Sequence, residues 1–310
     1  MPRGGKPGTY IGQHERARMM TEEVRVTRQA LQDAFDSLPP QARVNGVTES
    51  LALGSGVVRA FLGQEWFKKH VIPNGRKRGY LTIDESASQR LDLSCFRIID
   101  LAEVLYNLQN VSGFDACIAK MRCGDIEGTY AELDFGRMLY LNRVSFRYVV
   151  PRGTKGEDYD VQIIYPDGMI ACADAKCKIN STDISENGVK NALTDARKQL
   201  PNDMPGIIFV KVPPHWMKNA DFPGRMRAVA KDFLRGTGRI VSVKYYIAPL
   251  DFENGFLRQQ HAFDETNNPR NNFDRARDWK LFHKVDVPPE WNGMPPHWQR
   301  ILFFPDGKSR

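Results

Sequence analysis

The sequence predicts an α/β protein in which a mixed β-sheet is covered by helices. After Gly124 the chain alternates helical and strand patterns in the order αβββαβαβ. Such alternation is typical of a sheet with helices packed on it. Before Gly124 the apolar residues recur mainly with a helical period, so we expect an N-terminal helical region in front of this core.

Helix starts and stops define the elements of the N-terminal region. Thr21, followed by two acidic residues, is typical of a helix N-terminus, and the pair Pro39-Pro40 ends that helix near Leu38. Two more helices are predicted at residues 61–72 and 91–108, and a basic turn lies between them at residues 73–78.

The core elements are predicted from a change in residue type and apolar period. β-branched and aromatic residues favour strands at residues 144–150, 159–165, 169–177, 207–212 and 240–248. Helices are predicted at residues 125–142, 183–200 and 226–234. We therefore divide the chain into a basic flexible arm (1–20), a helical region (21–124), the core (125–250) and a polar, Trp-rich C-terminal extension (251–310) of unknown role.

The composition is that of a globular protein with a basic balance. Of 310 residues, 41% are hydrophobic and 26% charged, and Lys and Arg outnumber Asp and Glu by 44 to 37. No apolar run of about 18 residues and no secretory h-region is found, so we expect a cytoplasmic protein without a membrane partner. The odd number of cysteines, with no C-x-x-C motif, argues against disulfides and zinc. The net charge of +7 favours a polyanionic partner.

Two carboxylates are predicted to lie side by side on a β-hairpin. The turn Pro166-Asp167-Gly168 suits a three-residue loop with a left-handed glycine. If Tyr165 faces Met169, then Gln162 faces Cys172, and Asp160 faces Asp174 on one side of the sheet. Opposed like charges are unfavourable, so the pair needs a cation or a raised pKa. Mg²⁺ binds one or two carboxylates and keeps several waters, which makes it the simplest candidate.

Two further charged residues are expected at the same point. Lys176 lies two residues after Asp174 and therefore on the same face of the strand, where an ammonium could act on a phosphate and an attacking water. Glu132 precedes Phe135 and Leu139 by three and seven residues, so it interrupts the apolar stripe of its helix. A core-facing glutamate is costly unless it is paired or near a metal.

A helical Glu, a strand Asp, a hairpin and then Asp-x-Lys together resemble the PD-(D/E)XK nuclease superfamily, the restriction-endonuclease-like proteins. The resemblance covers about residues 125–250 and implies an αβββαβ core. It differs from the usual motif at Tyr159, where the family has proline, and at Asp174, where glutamate is commoner.

The resemblance also implies roles for individual residues. Asp160 and Asp174 would bind Mg²⁺ or Mn²⁺, with the Ala175 carbonyl and Glu132 as further ligands. Lys176 would be the catalytic lysine. Several subfamilies keep a Gln or Lys on the next helix near the active site, which makes Gln199 and Lys198 candidates.

Other interpretations remain open at the level of sequence. Asp160 and Asp174 would be ordinary surface residues if the sheet face were solvated, with Lys176 as their ion-pair partner. Glu127 or Asp134 would replace Glu132 if the helical phase differed. The Gly-rich segment at residues 53–56 lacks the ending of a P-loop, so no ATPase motif is present.

The function expected from the resemblance and the charge is metal-dependent hydrolysis of DNA, with double-stranded DNA as the substrate. An endonuclease in restriction, another form of defence or DNA repair is the expected setting, and a homodimer or a partner subunit is possible. The alternatives are a non-catalytic nucleic-acid-binding module and an assembly subunit that keeps the fold.

Overall fold

The chain folds into helices packed on both faces of a mixed sheet. The computed structural model describes residues 26–43, 46–72, 79–83, 93–151, 153–154, 156–165, 167–178, 182–253, 256–259, 262–273 and 276. The helices are α1 (Arg28–Asp36), α2 (Gly46–Leu62), α3 (Gln64–His70), α4 (Leu93–Leu108), α5 (Phe114–Arg122), α6 (Ile126–Leu141), α7 (Glu186–Gln199) and α8 (Phe222–Arg235). The strands are β1 (Ser145–Tyr148), β2 (Val161–Ile164), β3 (Ile170–Cys177), β4 (Gly206–Lys211), β5 (Ile240–Ile247), β6 (Leu250–Glu253), β7 (Phe256–Gln259) and β8 (Ala262–Asn267).

Six strands form the main sheet in the order β1-β2-β3-β4-β5-β8. The first three strands form an antiparallel meander. β4 and β5 then run parallel to β3, and β8 pairs antiparallel with β5. The predicted α/β class with a mixed sheet flanked by helices is confirmed.

Each face of the sheet packs on its own hydrophobic cluster. On one face, Phe146, Ile163 and Phe209 belong to the cluster that contains α2, α4 and α6. On the other face, Ile208 and Val243 pack with the apolar sides of α7 and α8. Because neighbouring residues of β4 point to opposite faces, this strand is buried along its whole length.

Two of the described helices were not predicted. Helix α1 begins at Arg28 and is capped by Thr27, whose Oγ1 accepts from the Ala30 amide at 3.1 Å; the start predicted at Thr21 lies outside the described residues. Helix α2 contains Gly54 and Gly56, which weaken the helical signal, but it packs closely along α4. Helix α5 was missed entirely. These helices are stabilised by packing against neighbouring elements, and local helix propensity carries no information about that packing.

The sheet extends beyond residue 250, where no strand was predicted. β8 completes its edge, and β6 and β7 form a separate two-stranded hairpin. Only Thr266 of β8 is buried, so this edge strand carries no apolar alternation that a sequence pattern would reveal.

Some predictions fall on residues that the structure does not describe. The basic arm (1–20), the basic turn (73–78) and the Trp-rich tail from residue 277 lie outside the described residues. Within the described part of the chain, no helix is both long enough and apolar enough to cross a membrane.

Candidate functional site

The hairpin of β2 and β3 has the register that the sequence predicts. Gln162 pairs with Cys172, and Val161 pairs with Ala173 at the end of the ladder. Gly168 has a φ of 85°, as expected for the left-handed glycine of the predicted turn. Asp160 lies one residue before β2 and its amide donates to the Ala173 carbonyl at 3.0 Å. The carboxylates of Asp160 and Asp174 are therefore neighbours at the open end of this ribbon.

Asp174 is a fully buried carboxylate, with 0% of its side chain exposed. Lys176 Nζ lies 2.8 Å from its Oδ2, yet no described group makes a hydrogen bond of normal geometry to either oxygen. Burial, and then the nearby charge of Asp160, raise the pKa of Asp174 well above its ordinary value, while Lys176 lowers it. The ion pair with Lys176 offsets part of the cost of burying this acid, and a cation bound at Oδ1 would relieve more of it.

The burial of Asp174 decides one of the open interpretations. A solvated sheet face would leave this side chain exposed, so that interpretation is wrong for Asp174. The ion pair that it predicted with Lys176 does form.

Lys176 is held between β3 and the end of α7. Its ammonium donates to Gln199 Oε1 and pairs with Asp174. About a quarter of the Lys176 side chain is exposed, 25%, so the group is accessible. The structure thus brings Gln199 to the predicted position. Lys198, the other candidate, instead pairs with Asp195 on the exposed surface of α7 at 2.8 Å.

Glu132 points from α6 toward the same place, as the helical phase predicts. Phe135 and Leu139 are fully buried, and Glu132 is only 6% exposed. Burial raises the pKa of Glu132 to about 8, and the charge of Asp160 adds to the rise, whereas Lys120 opposes it. The thiol of Cys117 also approaches Glu132 Oε2, at 3.8 Å.

Lys120 was missed by sequence reasoning and joins Glu132 to Asp160. Its Nζ lies 2.9 Å from each oxygen of Glu132 and 3.3 Å from Asp160 Oδ1. Lys120 lies on α5, which was not predicted, so no spacing in the sequence relates it to the hairpin. The other oxygen of Asp160, Oδ2, accepts from the Ala175 amide at 2.8 Å.

These residues surround one open cavity of about 650 Å³. Its wall includes Lys120, Glu132, Asp160, Ala175, Lys176 and Gln199. Glu127, an alternative to Glu132, lies on the same wall. A substrate phosphate entering here would meet the ammonium groups of Lys120 and Lys176 beside the carboxylates of Asp125, Glu127, Glu132 and Asp160.

Asp134, the other alternative, belongs to a separate buried network. It pairs with Arg137 on its own helix and with Lys211 of β4. Arg137 also pairs with Asp100 of α4. This network fastens α6 to α4 and to the sheet, and so holds Glu132 in place.

The acids at this site suit a divalent ion that needs few protein ligands. Among the described residues, no group of three or more His, Cys, Asp or Glu side chains is arranged to hold a metal. Mg²⁺ requires fewer protein ligands, since one or two carboxylates with waters suffice. Asp160 and Asp174 fit that requirement, and the buried Asp174 Oδ1, to which no described residue makes a hydrogen bond, is a specific reason for an ion to bind. That the Ala175 carbonyl is a ligand remains a prediction.

Comparison of the chain with models of protein families, with curated proteins and with solved structures finds no match.

Proposed function

We propose that this chain is a nuclease that uses Mg²⁺ or Mn²⁺ to hydrolyse phosphodiester bonds in DNA, and that its core is restriction-endonuclease-like. The observation that carries the proposal is the buried Asp174 and the partly buried Asp160 beside the ammonium of Lys176, with Asp160 and Lys176 lining an open cavity. The element order supports it, because a helix, an antiparallel meander, a second helix and a parallel strand follow one another.

Asp160 and Asp174 would hold the divalent ion, with Glu132 nearby and the Ala175 carbonyl as a further ligand. When bound, the ion polarises the phosphate and lowers the pKa of a water. The chain itself excludes bulk water from Asp174, which strengthens every charge interaction at that point. The binding of a cation by acids with raised pKa values releases protons, so we expect metal affinity to increase with pH.

Lys176 supplies the positive charge that a phosphate needs as its negative charge increases. Its ammonium is positioned by Gln199 and Asp174, and such preorganised charge is a large contribution to catalysis. In this position it can also hold the attacking water by a hydrogen bond. Gln199 touches Lys176 and acts as a positioning residue.

DNA is proposed as the substrate from the basic charge of +7 and from the resemblance of the motif. Double-stranded DNA is the first choice. An endonuclease in restriction, other defence or repair, acting as a homodimer or with a partner subunit, remains a prediction from that resemblance.

The test is incubation of the full chain with supercoiled, linear and single-stranded DNA in Mg²⁺, Mn²⁺ or EDTA. We expect metal-dependent cleavage that Lys176→Met reduces by about 100-fold or more, with DNA binding retained. The matched control is Lys190→Met, because Lys190 is an exposed lysine of α7 that pairs with Asp232; it should cut like the wild type.

The products also decide between the alternatives. Nicked or linear circles indicate an endonuclease, and shortening from ends indicates an exonuclease. Binding of DNA without cleavage by the wild type, in either metal, would support a non-catalytic module. A wild type that neither binds nor cleaves DNA would favour an assembly subunit.

A further inference from the structure

We propose that Lys120 is a built-in second cation of the site, so that the centre takes one divalent ion rather than two. This inference rests on the proposed function. Many phosphodiester-cleaving centres use two metal ions, about 3.5–4 Å apart, that share a carboxylate. Here Asp160 is placed to be such a shared carboxylate, but one of its two sides already faces an ammonium.

The contacts of Lys120 resemble those of a bound ion. Its Nζ meets three carboxylate oxygens, two from Glu132 at 2.9 Å and one from Asp160 at 3.3 Å. The ammonium therefore occupies the side of Asp160 that faces Glu132.

The other oxygen of Asp160, Oδ2, accepts from the neutral Ala175 amide at 2.8 Å and has no ammonium among its recorded partners. The neighbouring Asp174 is buried, and no described residue makes a hydrogen bond to its Oδ1. Lys176 approaches Asp174 Oδ2 at 2.8 Å, but it is also drawn to Gln199. A divalent ion would therefore be stabilised most between Asp160 and Asp174.

The test is a titration of the full chain with Mn²⁺, in which paramagnetic resonance measures the free ion. We expect the wild type to bind one Mn²⁺ per chain. Lys120→Met should raise the number to two, because Glu132 and Asp160 then lack a cation. Lys120→Arg keeps the charge and Lys190→Met changes a remote lysine, so both should stay at one.

Two results would overturn this role of Lys120: wild-type protein that binds two Mn²⁺, or a Lys120→Met variant that melts cooperatively and still binds one. The number of Mn²⁺ ions bound by the wild type remains decisive if Lys120→Met does not fold. These failures differ from failure of the proposed function. Wild type that cuts DNA with two bound ions contradicts only the role of Lys120, whereas wild type that neither binds Mn²⁺ nor cuts contradicts the nuclease itself.

Discussion

Glu103 is a buried acid whose raised pKa contributes to the pH dependence of stability. It lies on α4 with 7% of its surface exposed. Burial raises its pKa from 4.5 to about 8, and the charge of Asp100 adds to this rise. The folded state therefore keeps the Glu103 proton over a range in which the unfolded chain loses it.

The consequence is a loss of stability as the pH rises. A group whose pKa is raised on folding contributes fully to the free energy of unfolding at a pH below its pKa in the unfolded chain. That contribution is lost as the pH rises through its pKa in the folded protein. For Glu103 this window runs from about 4.5 to about 8. We expect the free energy of unfolding of Glu103→Gln, relative to that of the wild type, to increase by up to about 4 kcal/mol from pH 5 to pH 9.

Urea unfolding of both proteins at the two pH values measures this gain. The control is Glu65→Gln, since Glu65 is an exposed acid whose pair with Lys68 lies on the surface. The difference between this control and the wild type should be small at both pH values. An equal difference between Glu103→Gln and the wild type at pH 5 and pH 9 would refute the role of Glu103.

At the scale of elements, the approach of α6 to β1 places Glu132 near the hairpin. Gly136 faces Tyr148 and Phe146 of β1, and a Cβ at this position would lie 2.8 Å from Cζ of Tyr148. Glu132 is one helical turn away on the same face. The absence of a side chain at residue 136 therefore allows the helix to approach the sheet.

We expect Gly136→Ala to lower the free energy of unfolding by about 1–3 kcal/mol, because the added methyl forces the helix and strand apart. Gly56→Ala on α2 is the matched control. Gly56 is exposed and a Cβ there meets nothing within 4 Å, so this change should stabilise the protein by about 0.5–1 kcal/mol. Thermal melts of the two variants compare them directly. A Gly136→Ala protein as stable as Gly56→Ala would show that the close approach is not needed.

At the scale of the whole molecule, the chain after residue 250 returns to complete the central sheet. β8 pairs with β5 over six residue pairs. One of these pairs joins Lys244, which is fully buried, to Glu265 as an ion pair. Burial lowers the pKa of Lys244, and the charge of Glu265 opposes that shift. The core of the protein therefore depends on a segment that the sequence pattern placed outside it.

Removal of one partner should be costly. We expect Glu265→Ala to destabilise the protein by about 3–5 kcal/mol, because it leaves the charge of Lys244 without its carboxylate. The double variant Lys244→Met with Glu265→Ala should recover most of the loss, since an apolar residue tolerates that site. Asp264→Ala is the control, because Asp264 pairs with the exposed Arg227 and should cost less than about 1 kcal/mol. The urea midpoints of unfolding measure these effects. Equal destabilisation by Glu265→Ala and Asp264→Ala would contradict the role of the buried ion pair.

The sequence alone determined the β2–β3 hairpin and the residues that it brings together. Turn chemistry and the two-residue period of a strand are local properties, so they were sufficient to place Asp160 beside Asp174 and Lys176 on the same face. The same holds for Glu132, whose inward direction follows from the helical period of its neighbours.

Only the tertiary structure decided what surrounds those residues. Lys120 reaches Glu132 and Asp160 from a helix with a weak pattern of its own, and the strand that carries Glu265 is polar because it lies at an edge. Both depend on contacts between segments far apart in the chain, and no local period records such contacts. The sequence thus specified the acids and the catalytic lysine of the proposed site, whereas packing specified the ammonium that shares them and the burial that makes a bound cation favourable.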